Sequence, residues 1–530
     1  PDWNPAEIVG RIPRALDLSL FQKLITNGIW CKAREIMEYK KVSSKNLLAI
    51  FSGQPYVDTR LSFNSFLPKE IKKKLGEKIV DQWSKKLKDE PHQHDKIEFE
   101  IAITCFSFDI EQKVKKLLPN LKNSEKNFFI NTHLNHTLDL IKYSKKEHGI
   151  ETQIKKIEKL NRLYTKYKPK GLAKDLEELR KKINYCKELG TLPFSILARH
   201  AFISKTILDS LVKKNILTEE DKSRFMESIK TITGEFLSDF NKFNNNKISK
   251  KILLKKYGHL RPGTYDITSK RYDKIQIFKK RKKNKNVIKK TYKKFTLSKF
   301  KKNKFRKLLK KRGIKDLSAD DFFNYFKKSI KFRELAKFYY TRYISDILEI
   351  LNRYGKYYKI GISDVSNLSL NSILSIEDKN IKRKDKKKFL VDLVKKNKEN
   401  YETNSFVKLP QLIFDHTASF VVPHIVSSPN FVTRKKTSGN FAKLDNNDFN
   451  VSLDRKIVLI ENADPGFDWI FNKKILALIT KYGGANSHMA ISCSELNIPA
   501  AIGCGEKKFN ELITGNNIEL DCATKKITIT

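Results

Sequence analysis

Within Leu476–Gly505 (LALITKYGGANSHMAISCSELNIPAAIGCG) a threonine, two adjacent glycines, a serine and a histidine stand as Thr480-x-x-Gly483-Gly484-x-x-Ser487-His488. A neutral imidazole is a competent nucleophile near pH 7. Paired glycines let backbone approach a ligand closely. The apolar run Ile475–Ile479 reads as a buried strand ending at Thr480, Met489–Leu496 follows a helical period, and Ile498–Ile502 reads as the next strand. His488 is therefore expected at a helix N-terminus, beside free backbone N–H groups and the positive end of the helix dipole. That setting suits a dianionic phosphoryl group. The competing readings of a histidine at a helix start are a structural cap and a satisfied core residue.

A second set of chemically capable residues lies in Tyr257–Tyr272 (YGHLRPGTYDITSKRY), where His259 could act as a base, Arg261 and Arg271 could hold anions, and Asp266 adds a carboxylate. Two readings are open for it: an acceptor site, or a buried hydrogen-bonded loop that clamps two domains. Arg60, Ser62 and Asn64, in DTRLSFNSF, could line a polar pocket or satisfy a buried loop.

The Thr-x-x-Gly-Gly-x-x-Ser-His pattern, followed by Ala-Ile and Asn-Ile-Pro-Ala, resembles the phosphohistidine segment of the PEP-utilising enzymes, which include pyruvate phosphate dikinase, phosphoenolpyruvate synthase and rifampin phosphotransferase. In that family a swivelling β/β/α domain carries a phosphoryl group between two distant sites. The resemblance implies that His488 is the phosphorylated residue, that Thr480 orients its ring, and that Gly483, Gly484 and Ser487 shape the phosphate pocket. Leu459–Phe471 (LIENADPGFDWIF) is similar to the family's Asp-Pro element, and Gly515–Asp521 with Ile527–Ile529 to its closing strands. Tyr257–Tyr272 resembles a Gly-His…Asp…Arg-aromatic signature of the central region. Ser494 stands where many members carry an arginine.

Further upstream, no Gly-rich phosphate-gripping loop with a paired lysine occurs before residue 100, and no ATP-grasp-length module or C-terminal barrel for PEP is legible. The resemblance thus implies ATP and Mg²⁺ acting on an ATP-grasp nucleotide-binding part, either a partner subunit or a missing domain, with a phosphoryl group passing through His488 to a small-molecule acceptor near residues 250–275. The alternatives are a phosphoenolpyruvate synthase-like fragment, a non-catalytic phosphocarrier or regulatory subunit, and a nucleic-acid-binding protein.

The elements that must position these residues read as a multi-domain α+β chain. Residues 1–110 are mixed: Leu18–Met37 has helical spacing, while Gln54–Phe66 and Ile97–Ile110 alternate as strands do. Residues 111–250 form a helical domain, with Ile154–Leu163 and Leu172–Leu189 strongly amphipathic. Residues 251–428 hold the candidate acceptor loop, a basic insertion and a helical region that includes Phe323–Ile350. A polar stretch, Lys379–Thr403, reads as a mobile connection. Residues 429–530 form the β/β/α swivelling domain.

Composition bounds the rest. The chain has 530 residues, with 108 Lys and Arg against 59 acidic residues, a formal charge of +49. Nineteen Lys and Arg and no acid fall between Lys279 and Arg312, interleaved with Phe295, Phe300 and Phe305. Lysine outnumbers arginine, whereas sequence-specific DNA readers lean on arginine. Compositional drift and a solvated insertion are therefore preferred over a nucleic-acid surface. No apolar stretch approaches membrane-spanning length, and Pro-Asp-Trp-Asn-Pro lacks signal-peptide character. A cytoplasmic location without membrane partners is expected. Six scattered cysteines form no Cys-x-x-Cys pair, and neither His92/His94 nor His133/His136 has the companions of a metal site.

Overall fold

The structure, a computed structural model, describes residues 5–42, 46–275, 294–415 and 428–529. A helical body precedes a C-terminal seven-stranded mixed sheet flanked by helices, an α+β arrangement. The spine of the body is the 40-residue helix Ala319–Tyr358, about 60 Å long at 1.5 Å per residue. A capping box between Ser318 and Asp321 starts it, and Lys359 ends it in a left-handed conformation. The helix Leu192–Lys213 packs along it. Most of its residues are buried, among them the polar Arg199, His200 and Ser204.

Several local readings are corrected. Leu18–Met37 is helical as its spacing predicts, but in two stretches, Ala15–Phe21 continued by a wide turn over Gln22–Thr26, and Ile29–Ile36, because Gly28 turns the chain at φ +87°. Gln54–Phe66 is a strand only over Gln54–Val57, paired antiparallel with Leu48–Phe51; Asp58 then caps the helix Thr59–Asn64. Its alternation reflects one short strand followed by a helix with one buried face. Ile97–Ile101 is a wide helical turn rather than a strand. Lys379–Thr403 contains the start and most of a regular helix, Arg383–Phe406, whose buried side chains are Leu390 and Val394. Long charged residues are good helix formers, so polarity there did not mean an open connection.

Of the basic run, residues 279–293 lie outside the described residues. Its remainder forms the helix Lys299–Lys311. Phe305 is buried against Phe108 and Phe322, and Phe295 packs on Phe225 and Phe323, whereas Phe300 is 73% exposed. The aromatic residues of this stretch thus anchor it to the body.

In the C-terminal sheet, β3 (Asn430–Val432), β4 (Lys436–Leu444), β5 (Ile457–Asn462), β6 (Ala477–Tyr482), β7 (Ala500–Ile502), β8 (Asn517–Asp521) and β9 (Lys526–Ile529) lie in the order β3-β7-β6-β5-β4-β8-β9. Strands β4 to β7 run parallel at the centre, and β3, β8 and β9 add antiparallel edges. The central strands are buried on both faces, which is why IVLI and ALIT read as continuous apolar runs. One face closes a core of its own with Phe509 and Leu512. The other shares one core with the body: Val458, Ile460, Phe467, Trp469 and Met489 pack with Ile232, Phe236, Tyr257 and Phe338. Among the described residues no helix is long and apolar enough to cross a membrane.

Candidate functional site

Loops that leave the carboxyl ends of parallel strands gather at one edge of an α/β sheet, the usual place for a ligand. Here β5 delivers Asp464–Phe471 and β6 delivers Gly483–His488 to that edge. Gly483 has φ +148°, and a Cβ there would stand 2.8 Å from Ile502 and 2.9 Å from Ala463, so only glycine fits. Thr480 donates to the Tyr482 carbonyl at 3.0 Å and accepts from the Gly503 N–H at 2.9 Å. It ties the ends of the loop together, and its hydrogen bonds go to backbone rather than to the His488 ring. Ser487 caps the helix His488–Leu496 by accepting from the Ala490 N–H at 3.2 Å.

His488 is 4% exposed, and its imidazole is held between two carboxylates. Nδ1 pairs with Glu334 of the long helix, and Nε2 lies 2.7 Å from an oxygen of Asp468. Thr233 adds a hydroxyl 3.3 Å from Nε2 and a 2.7 Å bond to Ser492. Burial pulls the imidazole pKa down, but Asp468 and Glu334 outweigh it and raise the pKa to about 10. Glu334, although buried, is drawn down to about 2 by His488 and Arg333. Asp468 goes the other way, raised by burial and by Glu334 against the pull of His488. We assign the proton to the ring: a buried imidazolium between two carboxylates is the arrangement with the least uncompensated charge. Asp468 sits inside the Asp-Pro element legible in the sequence. Glu334 and Thr233 come from distant helices and carry no sequence signal.

Around the loop, Glu7 of the helix Pro5–Val9 accepts from the Gly484 N–H at 3.2 Å. Burial raises its pKa, opposed by Lys337 and Arg333. Arg333 pairs with Glu334 at 2.8 Å, and Arg333, Lys337 and Glu7 line one cavity.

The segment Tyr257–Tyr272 is tied up differently. Arg261 bonds Glu349 at 3.2 Å, the Ser269 and Asp266 carbonyls and the Ser345 hydroxyl. Arg271 pairs with Asp273 at 3.0 Å and reaches buried Asp346 at 3.4 Å. Asp266 accepts from Thr268. His259 is buried with its ring 4.9 Å from Phe338, and burial holds its pKa well below the usual histidine value. The segment also grips the Asp-Pro loop: Thr264 donates twice to Asp464, and Tyr272 donates to the Gly466 carbonyl at 2.5 Å. A Cβ on Gly466 would overlap the Arg261 carbonyl, 1.9 Å away. This is the geometry of a clamp between the long helix and the C-terminal sheet. Arg60 pairs with exposed Asp81 at 2.9 Å, Asn64 donates to the Arg60 carbonyl, and Ser62 is buried nearby. Those three stay apart from His488. Among the described residues no group of three or more His, Cys, Asp or Glu is arranged to hold a metal ion.

With this geometry in view, residues 453–525 match the family model of the PEP-utilising enzyme, mobile domain. The phosphoenolpyruvate synthase of Escherichia coli (strain K12) is 36% identical over 67 residues, 13% of this chain and 8% of that protein. The phosphoenolpyruvate synthase of Aquifex aeolicus (strain VF5) is 37% identical over 68 residues, again 13% and 8%. Over residues 453–525 the C-terminal sheet is thus similar to the mobile domain of the PEP-utilising enzymes. The chain spans about 8% of the length of each of these curated relatives.

Proposed function

We propose that this chain is the acceptor-plus-carrier portion of an ATP-dependent dikinase-type phosphotransferase, with His488 as the phosphoryl carrier. One observation supports it above the rest: His488 heads a helix, beside a glycine-shaped loop at the carboxyl ends of β5 and β6, with Arg333 and Lys337 of the long helix close by. These cations stand in for the arginine missing at Ser494. ATP and Mg²⁺ act at an ATP-grasp nucleotide-binding part, a partner subunit or a further domain, and no step is assigned to them within residues 1–530.

The docked ring is an imidazolium with both nitrogens engaged, so it cannot attack phosphorus. Undocking leaves Glu334 behind on the long helix, while Asp468 travels in the same domain as the ring; a ring that also turns off Asp468 presents a neutral nitrogen near pH 7. The ring is then charged at the partner. A phosphorylated Nε2 would bring a dianion against Asp468, so the charged ring cannot resume the same seat. It turns its phosphoryl group toward Arg333 and Lys337. The Tyr257–Tyr272 segment serves this cycle as the clamp that sets where the domain docks.

With ATP, Mg²⁺ and a nucleotide-binding partner, the full chain should acquire acid-labile, base-stable phosphate on His488. Potassium phosphoramidate, which phosphorylates histidine directly, makes the same readout independent of the partner. Undiminished labelling in His488→Ala would overturn the reading.

A further inference from the structure

A cavity of about 770 Å³ opens beside the Gly484–Ser487 loop. Its walls come from parts of the chain far apart in sequence: the helix Pro5–Val9, the β1–β2 hairpin (Leu48–Phe51, Gln54–Val57), the segment around Asp95, the long helix, and the mobile domain. Three observations define what it would hold.

The first is charge. The chain carries 108 Lys and Arg against 59 acidic residues, yet the lining holds five Lys and Arg and six Asp and Glu. The chain-wide cationic excess is absent from this lining. An anionic occupant would meet Glu7, Asp95 and Asp464, so the balance suits a neutral one.

The second is unfilled hydrogen-bonding capacity. The Nε of Arg333, which is 8% exposed, and the hydroxyl of Tyr265, which is 2% exposed, are buried without a partner among the described residues. The Asn486 amide nitrogen and one Asp95 carboxylate oxygen are in the same condition. All four residues line the cavity. Two of these atoms can only donate, one can accept, and the phenol can do either. A hydroxyl group is both donor and acceptor, so a molecule bearing several of them satisfies such a mixed set, which a carboxylate or an ammonium does not.

The third is apolar surface. Phe99 and Phe202 stack with centroids 5.5 Å apart, and Phe51 meets Tyr56 edge to face. These rings line the cavity and offer flat faces to C–H groups.

We infer that this cavity is the phosphoryl-acceptor site and that its ligand class is a neutral polyhydroxylated molecule, a sugar or polyol. The inference rests on the carrier reading of His488. In the transfer, an acceptor hydroxyl oxygen attacks phosphorus. The new P–O bond forms as the P–N bond to the imidazole breaks, and that electron pair returns to the ring nitrogen. The hydroxyl proton passes to the carboxylate of Glu7, which touches the Gly484 N–H, while Arg333 and Lys337 balance the phosphoryl charge.

The test titrates the full-length chain with glucose, N-acetylglucosamine, myo-inositol and xylitol, with pyruvate and glucose 6-phosphate as anionic probes, read by ligand-observed NMR and calorimetry. Saturable binding of at least one neutral probe is expected, at least tenfold weaker in Ala49→Trp, which fills the cavity mouth from an exposed strand position. Asp95→Asn should weaken it as well. Failure of all four neutral probes, preference for an anionic one, or indifference to both substitutions would overturn the proposal. Binding that responds to Ala49→Trp while His488 takes no phosphate would sink the carrier reading instead. Label on His488 without binding would sink only the cavity assignment.

Discussion

Two loops of this protein present histidine, glycine and polar side chains in one short span, and the tertiary structure treats them in opposite ways. In Tyr257–Tyr272 the arginines are closed off by Glu349, Asp273 and Asp346, and backbone packs on backbone at Gly466. In Thr480–His488 the loop is equally well built, but residues Gly484–Ser487 line a large cavity that the other segment meets only at Thr264 and Tyr265, and its histidine is held by carboxylates from other elements. The difference teaches that a dense polar motif marks a constrained place, while function depends on whether something is left unfilled beside it.

The sharpest way to probe the contrast is His488→Ala. A residue at a pocket rim would be lost cheaply, but His488 is buried between Glu334 and Asp468. Removing it leaves two carboxylates facing each other, and stability should fall by about 3–5 kcal/mol in urea unfolding. A loss of a few tenths would mean the docked ion pair does not form in solution.

The next effect is a pH dependence. The docked ring has its pKa raised from 6.5 to about 10, so the docked state binds the proton more tightly than the released one. Glu334 stays behind and Asp468 moves with the ring, so docking is favoured at neutral pH and below and weakens as pH rises toward 10, by at most about tenfold per unit. Hydrogen exchange at Gly484–His488 should accelerate accordingly, and Glu334→Gln should flatten the profile. A flat profile in the unaltered chain would contradict the charged pair.

Smaller effects separate the two loops further. Arg261→Lys should cost about 1–3 kcal/mol through unsatisfied buried partners, with charging and discharge of His488 falling together. Normal stability combined with a selective block of discharge would make the clamp an acceptor site and erase the comparison. Ser487→Ala removes a helix cap and should cost about 1 kcal/mol in thermal melts, with phosphate labelling reduced rather than lost.

Much of the mobile domain was legible because its determinants are local. Continuous apolar runs mark the central strands, and Gly483 marks a conformation that no side chain permits. Ser487 marks the helix start, and Asp468 falls within a segment whose pattern was already notable. The connection at Lys379–Thr403 misled because charge pattern reports exposure, and an exposed helix is as polar as an open linker.

The amino-acid sequence by itself determined the strand–loop–helix that presents His488, since turn chemistry, capping and periodicity act within a few residues. Only the tertiary structure decided what His488 meets. Glu334 lies 154 positions away and Thr233 lies 255 away, and each is one polar residue on an amphipathic helix until packing brings it to the imidazole. The same holds for the cavity, whose walls run from Pro5 to Asn510. Its balanced charge and unfilled donors and acceptors exist only once the long helix, the hairpin and the mobile domain share a surface, because burial and pairing are properties of neighbours in space.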